Sequence, residues 1–348
     1  MNLRTCLPLL TVAITCFATA SFGQAAAPGG GEIGMARELG PATWARCAAH
    51  LLIPSAKSYE LSYVRSNTMP LSPFAGSFEL TYRSSSALPG TMQVFNTEVL
   101  NEHANPSQQG TQIDAFAHFG YLDKAWNGTS PWSTDAVRYY GGLTQQDVKP
   151  TPDSPLLKLG MDKVPPIITT AILLDAKTHV GKGTRMNAGE VVTSQHIEAM
   201  IETQGLGERG IHPGDVVYIY TGWSEHYQDP DTNKVYYRMA PGLSFDAAKY
   251  LGDKRVVAVG LDTPFVDAVT DGQLAGKAGP PAGTPPGMAF PIHHYFLTQA
   301  GIHLLENIKL DELARDRVST SCTIVLPLRE KGASGSPIRP VAIGAPRE

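Results

Sequence analysis

The stretch DVVYIYTGW, Asp215 to Trp223, is an apolar run between turn residues, Pro213-Gly214 before it and Gly222 at its end. A run of that length with β-branched and aromatic side chains reads as a buried strand. Upstream, ITTAILLDA, Ile168 to Ala176, reads as another strand, and a helix is expected from Thr193 through Thr203 with Ser194 near its start. Downstream come a helix SFDAAKYLG from Ser244, a strand VVAVGLDT from Val256 to Thr263, a helix HHYFLTQAG near His294 and a last strand CTIVLPL, Cys322 to Leu328. Strands alternating with helices predict an α/β core whose strands are covered by helices.

The first half has a different grammar. YELSYV, SFELTYR and MQVFNTEVL, between Tyr59 and Val99, are short strand-like segments separated by Pro, Gly and Ser clusters, and ATWARCAAHLL, Ala42 to Leu52, has helical spacing. No internal repeat and no clean linker divides the halves, so residues 41–348 are expected to form a single domain. The Pro- and Gly-rich stretch Ala275 to Pro291 is long for a loop in a compact domain and is a candidate active-site lid.

At the N-terminus, Arg4 precedes an apolar run from Cys6 to about Ala20 that ends in small residues. Residues 1–23 read as a secretory signal peptide, which implies a periplasmic or secreted chain with no membrane association after cleavage. A lipoprotein anchored through Cys16 is the lesser alternative, because Ala13-Ile14-Thr15 is a poor lipobox. Residues 24–40, rich in Ala, Gly and Pro, read as a disordered leader. The formal net charge of −4 becomes one unit more negative without Arg4, and no nucleic-acid partner is implied. Cys47 and Cys322 would remain after cleavage; one in a leading helix and one in a late strand, they are expected to be unpaired.

The chemistry concentrates in QQGTQIDAFAHFGY, Gln108 to Tyr121. Gln112 and Asp114 point to one side of an extended segment, and the Gly110-Thr111 turn allows Gln108 to approach them. With His118 the cluster offers three oxygens and an imidazole, a donor set for a metal. The plainer alternative is a buried polar turn that satisfies its own backbone.

This stretch resembles the signature of the cyclase family, the metal-dependent hydrolases that include kynurenine formamidase and isatin hydrolase. In that family a His-x-Gly-Thr-His-x-Asp-x-x-x-His pattern carries the site. Gly110, Thr111, Asp114 and His118 match it, while Gln108 and Gln112 stand in the two histidine places. Further blocks follow in family order: HPGDVVYIYTGW, GLDTPFVD from Gly260 to Asp267, HYFLTQAGIHLLEN from His294 to Asn307, and PLREKGASGSPIRPVAI from Pro327 to Ile343. The paired glutamines are similar to those of the trans-dienelactone hydrolase-like subgroup.

The resemblance implies a swivelling β/β/α fold with a mixed sheet and flanking helices. It also implies a divalent metal, zinc first and manganese as the alternative, held by Gln108, Gln112, Asp114, His294 and Glu306. His294 and Glu306 match the family's histidine and glutamate twelve residues apart, and His293 remains an open alternative to its neighbour. His118 would be the general acid/base for water attack on a small cyclic substrate, a lactone first and a cyclic amide, imide or formamide otherwise. A homodimer or higher homo-oligomer is expected on the same ground. A metal-free ligand-binding protein is the rival from another class. An amide oxygen is a harder, weaker donor than imidazole, so affinity should drift from zinc toward harder ions.

Other residues receive ordinary readings. His103 is a loop histidine, close enough to replace a lost imidazole, and Trp126, Trp132, Trp223, Tyr63 and Phe116 are core aromatics. Ser336 lacks the Gly-x-Ser-x-Gly spacing of a serine hydrolase. Asn127-Gly128-Thr129 is a glycosylation sequon.

Overall fold

The computed structural model describes residues 31–102 and 108–347. Its centre is a nine-stranded sheet in the order Lys57–Glu60, Val341–Gly344, Thr320–Val325, Ile167–Asp175, Val216–Tyr220, Ala258–Leu261, His303–Glu306, Gln112–Asp114, Gly335–Pro337. The four strands from Ile167–Asp175 to His303–Glu306 are mutually parallel, and the pairs on either side of them are antiparallel. The sheet is therefore mixed, as expected.

Each parallel crossover carries a helix: Ser194–Thr203, Phe245–Asp253, and Pro291–His293 continuing as a π-helix over His294–Ala300. Thr193 and Ser244 cap the first two, each side-chain oxygen accepting from a backbone N–H three residues on. Period-two alternation splits the strands between two apolar layers. Ile172, Leu174, Val217, Ile219, Val259 and Leu304 meet Ile197, Met200, Leu251, Phe296 and Leu297 of the three helices. Their alternates Ala171, Leu173, Val216, Tyr218 and Leu305 form a second layer with Tyr59, Leu61, Leu310 and Leu313. The sheet is thus buried on both faces, which explains the continuous apolar runs.

Several expectations need correction. The strand Thr320–Val325 is not the last, since Gly335–Pro337 and Val341–Gly344 follow it. The part of the leader that is described is ordered: Gly31–Glu38 forms 3-10 turns. Glu32 accepts from the Leu159 N–H, the Met35 N–H donates to Gly301 O, and Ala36 is buried. These anchors offset the low apolar content on which the disordered reading rested. Cys47, in the helix Pro41–Leu51, is disulfide-bonded to Cys322, their Cα atoms 4.3 Å apart. The unpaired expectation fails because that helix lies across the strands Ile167–Asp175 and Thr320–Val325. Trp223 and Phe116 are buried, whereas Trp126 and Trp132 are exposed and pack edge to face. The signal segment 1–23 and His103 lie outside the described residues.

Candidate metal-binding active site

Three elements converge at one end of the parallel strands. Gln112 lies opposite Glu306 in the antiparallel pairing of Gln112–Asp114 with His303–Glu306, so their side chains share a face, and Asp114 lies two residues on. The Gly110 turn, at φ +73°, is tied to the end of the glutamate strand: Asn307 Nδ2 donates to Gly110 O and Thr111 Oγ1 to Asn307 O. His118 follows on a 3-10 turn, Phe116–His118. The third element is the first turn of the helix that starts at Pro291.

Gln112 Nε2 donates to Glu306 Oε2 at 3.0 Å and to Gln108 Oε1 at 2.6 Å, and Gln108 Nε2 donates to Asp114 Oδ1 at 2.9 Å. The amides thus link the two carboxylates in a chain. His293 Nε2 lies 3.5 Å from Asp114 Oδ2 and 3.3 Å from Glu306 Oε1. Ligand atoms of Asp114, His118 and His293 all fall within 4.8 Å of one another. The ring of His294 points elsewhere, edge-on to Tyr121 with its Nε2 3.0 Å from the Gln299 amide. Of the two histidines left open by the sequence, His293 and not His294 is the one brought to Asp114 and Glu306, because one step along a helix rotates a side chain by about 100°. Gln108 stands in the same cluster, its oxygen accepting from Gln112 and its nitrogen donating to Asp114.

Two residues absent from the sequence reading of the site complete it. Asp267 Oδ2 lies 2.6 Å from His293 Nδ1, and the Val266 N–H donates to Glu306 Oε1 at 3.2 Å. Asp267 closes the GLDTPFVD block, and that position was the only signal in the sequence.

Asp114, Asp267, His293 and Glu306 are buried and His118 is partly buried, and their electrostatics are mutual. Burial and the Asp114 charge push Glu306 up to about 7. Burial also opposes the charge on Asp114, but His118 and His293 outweigh it and hold this carboxyl below its usual range. His293 is likewise opposed by burial, yet Asp114, Asp267 and Glu306 raise it well above an ordinary histidine. Burial lowers His118, with Asp114 acting against that shift, so its neutral form is favoured at neutral pH. Burial takes His303, whose Nδ1 sits 3.0 Å from Asp114 O, down to about 4.

The site opens into a cavity of about 300 Å³. Gln112, His118, His293 and Glu306 stand at its polar end, and Phe74, Phe119, Phe265 and Phe290 form apolar walls. Phe290 closes the Pro- and Gly-rich stretch read as a lid, so that stretch reaches the cavity.

Among the described residues, Gln112 Oε1 and Asp114 Oδ2 are buried atoms that accept no hydrogen bond. Burying such atoms is costly unless something satisfies them. Asp114 Oδ2 lies 3.5 Å from His293 Nε2, and with His118 these side chains offer one carboxylate oxygen and two imidazoles within 4.8 Å of one another, a donor set that fits a divalent cation.

Residues 59–268 match the model of the Cyclase family, described as "Putative cyclase". The chain belongs to this family. Kynurenine formamidase from Bacillus thuringiensis (strain Al Hakam) is 35% identical over 101 residues, 29% of this chain and 39% of that protein; its counterpart from Bacillus anthracis is 34% identical over the same length. The match therefore spans about two-fifths of the length of these curated relatives. Among solved structures, one described as a novel cyclase aligns with a TM-score of 0.69 at 20% identity, covering 89% of this chain and 95% of that one. Isatin hydrolase A from Ralstonia solanacearum aligns at 0.54 and 21% identity, covering 88% and 98%. These likenesses establish the cyclase fold.

Proposed function

We propose that this Cyclase-family protein is a divalent-metal-dependent hydrolase that opens a small, flat acyl substrate with water. The observation that carries the reading is the buried Asp114 Oδ2, which accepts no hydrogen bond and lies 3.5 Å from His293 Nε2 in a cluster with His118 that borders a cavity with apolar walls. Gln112, Asp114, His293 and Glu306 would hold the ion, with zinc as the first choice and manganese as the alternative. When bound, the ion would supply the charge that polarises an acyl carbonyl and makes water acidic.

The chain's own groups supply the rest. The phenylalanine walls select a planar ring, since π-faces pack against flat apolar surfaces. His118, kept neutral by burial, takes a proton from the attacking water and returns it to the leaving atom as the acyl bond breaks. Water adds to the carbonyl carbon, and a carboxylate and an amine or alcohol are released.

An acyl C–N bond, in a cyclic amide or a formamide, is the favoured target, because the kynurenine formamidases and isatin hydrolases similar to this chain act on that bond class. A lactone is the second reading, favoured by Gln108 and Gln112 standing in both histidine places. Export belongs to the same proposal, supported by the apolar run after Arg4 and by the Cys47–Cys322 disulfide, a bond typical of oxidising compartments. Self-association as a homodimer is proposed on family resemblance and is checked by light scattering.

The test is metal content by elemental analysis, with hydrolysis of a planar cyclic amide, an N-formyl arylamine and an unsaturated lactone measured before and after chelation. A stoichiometric divalent ion, and hydrolysis that is lost on chelation and restored by zinc or manganese, is expected. Full-rate hydrolysis by metal-free protein would overturn the reading.

A further inference from the structure

Asp267 lies on the segment that leaves the strand Ala258–Leu261, and its side chain is fully buried. Both of its oxygens are engaged by one helical turn. Oδ1 accepts from the Ile292 N–H at 2.7 Å, and Oδ2 accepts from the His293 N–H at 3.1 Å and faces His293 Nδ1 at 2.6 Å. The neighbouring Val266 N–H donates to Glu306 Oε1. Two consecutive residues therefore fix a histidine and a carboxylate of the site.

The placement of this segment depends on close backbone approach. Leu243 N–H donates to Val266 O, and a Cβ on Gly242 would lie 2.3 Å from Ala268 N and 2.4 Å from Asp267 C. Only a residue without a side chain lets the two backbones come together there.

We infer that Asp267 is a positioning residue that holds His293 with Nδ1–H toward its own carboxylate and leaves Nε2 facing Asp114 and Glu306. The inference rests on the proposed metal-dependent reading for its consequence, although the geometry stands without it. A carboxylate beside Nδ1 accepts only, so the ring nitrogen next to it must carry a proton. Nε2 is then the nitrogen whose lone pair is available to an ion, and the ring is oriented as a partner carboxylate orients a ligating imidazole. Asp267 touches neither the cavity that holds the substrate nor, in this assignment, the ion itself.

A helix-capping role alone would predict that any good capping residue suffices, and this separates the two explanations. Asp267→Asn and Asp267→Ser both keep an oxygen for the backbone N–H groups. The Asn amide also presents a donor to Nδ1, which favours the opposite tautomer with the proton on Nε2; Ser does not reach the ring.

The experiment measures zinc affinity by competition titration and the His293 ring protons by NMR in the full chain. The metal-free wild type should show a downfield, slowly exchanging Nδ1–H proton that disappears in both variants. Zinc affinity should fall roughly 10- to 100-fold in Asp267→Asn, with thermal unfolding close to that of the wild type. Unchanged affinity in the folded variants, or a metal-free wild type with no such Nδ1–H signal, would overturn the inference, and the wild-type measurement decides even if neither variant folds. A wild type that binds neither zinc nor manganese but shows the proton sinks the hydrolase reading and leaves the positioning role standing.

Discussion

Asp114 and His118 lie four residues apart, yet their removal should have different consequences. Asp114→Ala deletes a buried negative charge, one of the two carboxylates facing His293 Nε2, so metal content and hydrolysis should both vanish. His118→Ala should leave metal content near the wild-type value while kcat falls by roughly 10² to 10⁴, the usual worth of a positioned acid/base. Elemental analysis beside steady-state kinetics checks both, and loss of metal from the His118 variant would make that residue a ligand instead. Asp114, Gln112 and His118 were legible because a β segment followed by one tight turn brings near neighbours together. Glu306 was legible only through resemblance, since nothing local links it to residue 112. Choosing between His293 and His294 required the rotational phase of a helix, which Asp267 sets from 26 residues upstream. Gln108 was read as an oxygen donor to a metal, and it stands beside Asp114 with its nitrogen toward that carboxylate.

At the level of elements, long runs were readable and short ones were not. The strands Ile167–Asp175, Val216–Tyr220 and Ala258–Leu261 stand where buried apolar runs placed them, because strands covered on both faces leave that imprint. Gln112–Asp114, His303–Glu306 and Gly335–Pro337 have three or four residues each, and pairing with distant neighbours rather than local pattern makes them strands. The Cys47–Cys322 pair, 275 residues apart in sequence, was hidden for the same reason. Replacing both cysteines with serine should cost about 2–4 kcal/mol of stability, read by chemical denaturation, with kcat little changed because the bond lies away from the cavity. Gly242→Ala tests the opposite kind of site. Its Cβ meets backbone atoms that cannot turn aside, so the Val266–Asp267 segment must shift, and the variant should lose both thermal stability and metal affinity. A variant that unfolds like the wild type and binds metal as tightly would show that the segment tolerates displacement.

On the scale of the whole molecule, the sheet gathers two carboxylates and a histidine from separate parts of the chain into one buried volume, and folding must accommodate their charges. Glu306 is ordinarily at 4.5 and stands at about 7 in the folded, metal-free protein, raised by burial and by Asp114. The folded state therefore holds a proton that the unfolded chain releases, and this contribution is full below pH 4.5 and lost as pH rises through about 7. His293 is raised as well, against the effect of burial, by its three carboxylate partners, so its contribution is also present below an ordinary histidine's range and is lost at higher pH. Asp114 is held low and has already shed its proton across this window. Glu306 and His293 therefore lower the stability of metal-free protein between pH 5 and pH 8, while His118 and His303, both lowered by burial, raise it over the acid part of that range, and the Glu306 share is the difference between wild type and Glu306→Gln. A divalent ion takes the place of the protons on Glu306 and His293, so the rise in Tm on adding zinc should be small at pH 5 and grow toward pH 8. Glu306→Gln should flatten the metal-free slope, since a neutral amide has no proton to lose, and should also reduce the zinc increment. Thermal unfolding with and without zinc at several pH values measures this, and an increment that is equal at pH 5 and pH 8 would contradict a site built from proton-holding ligands.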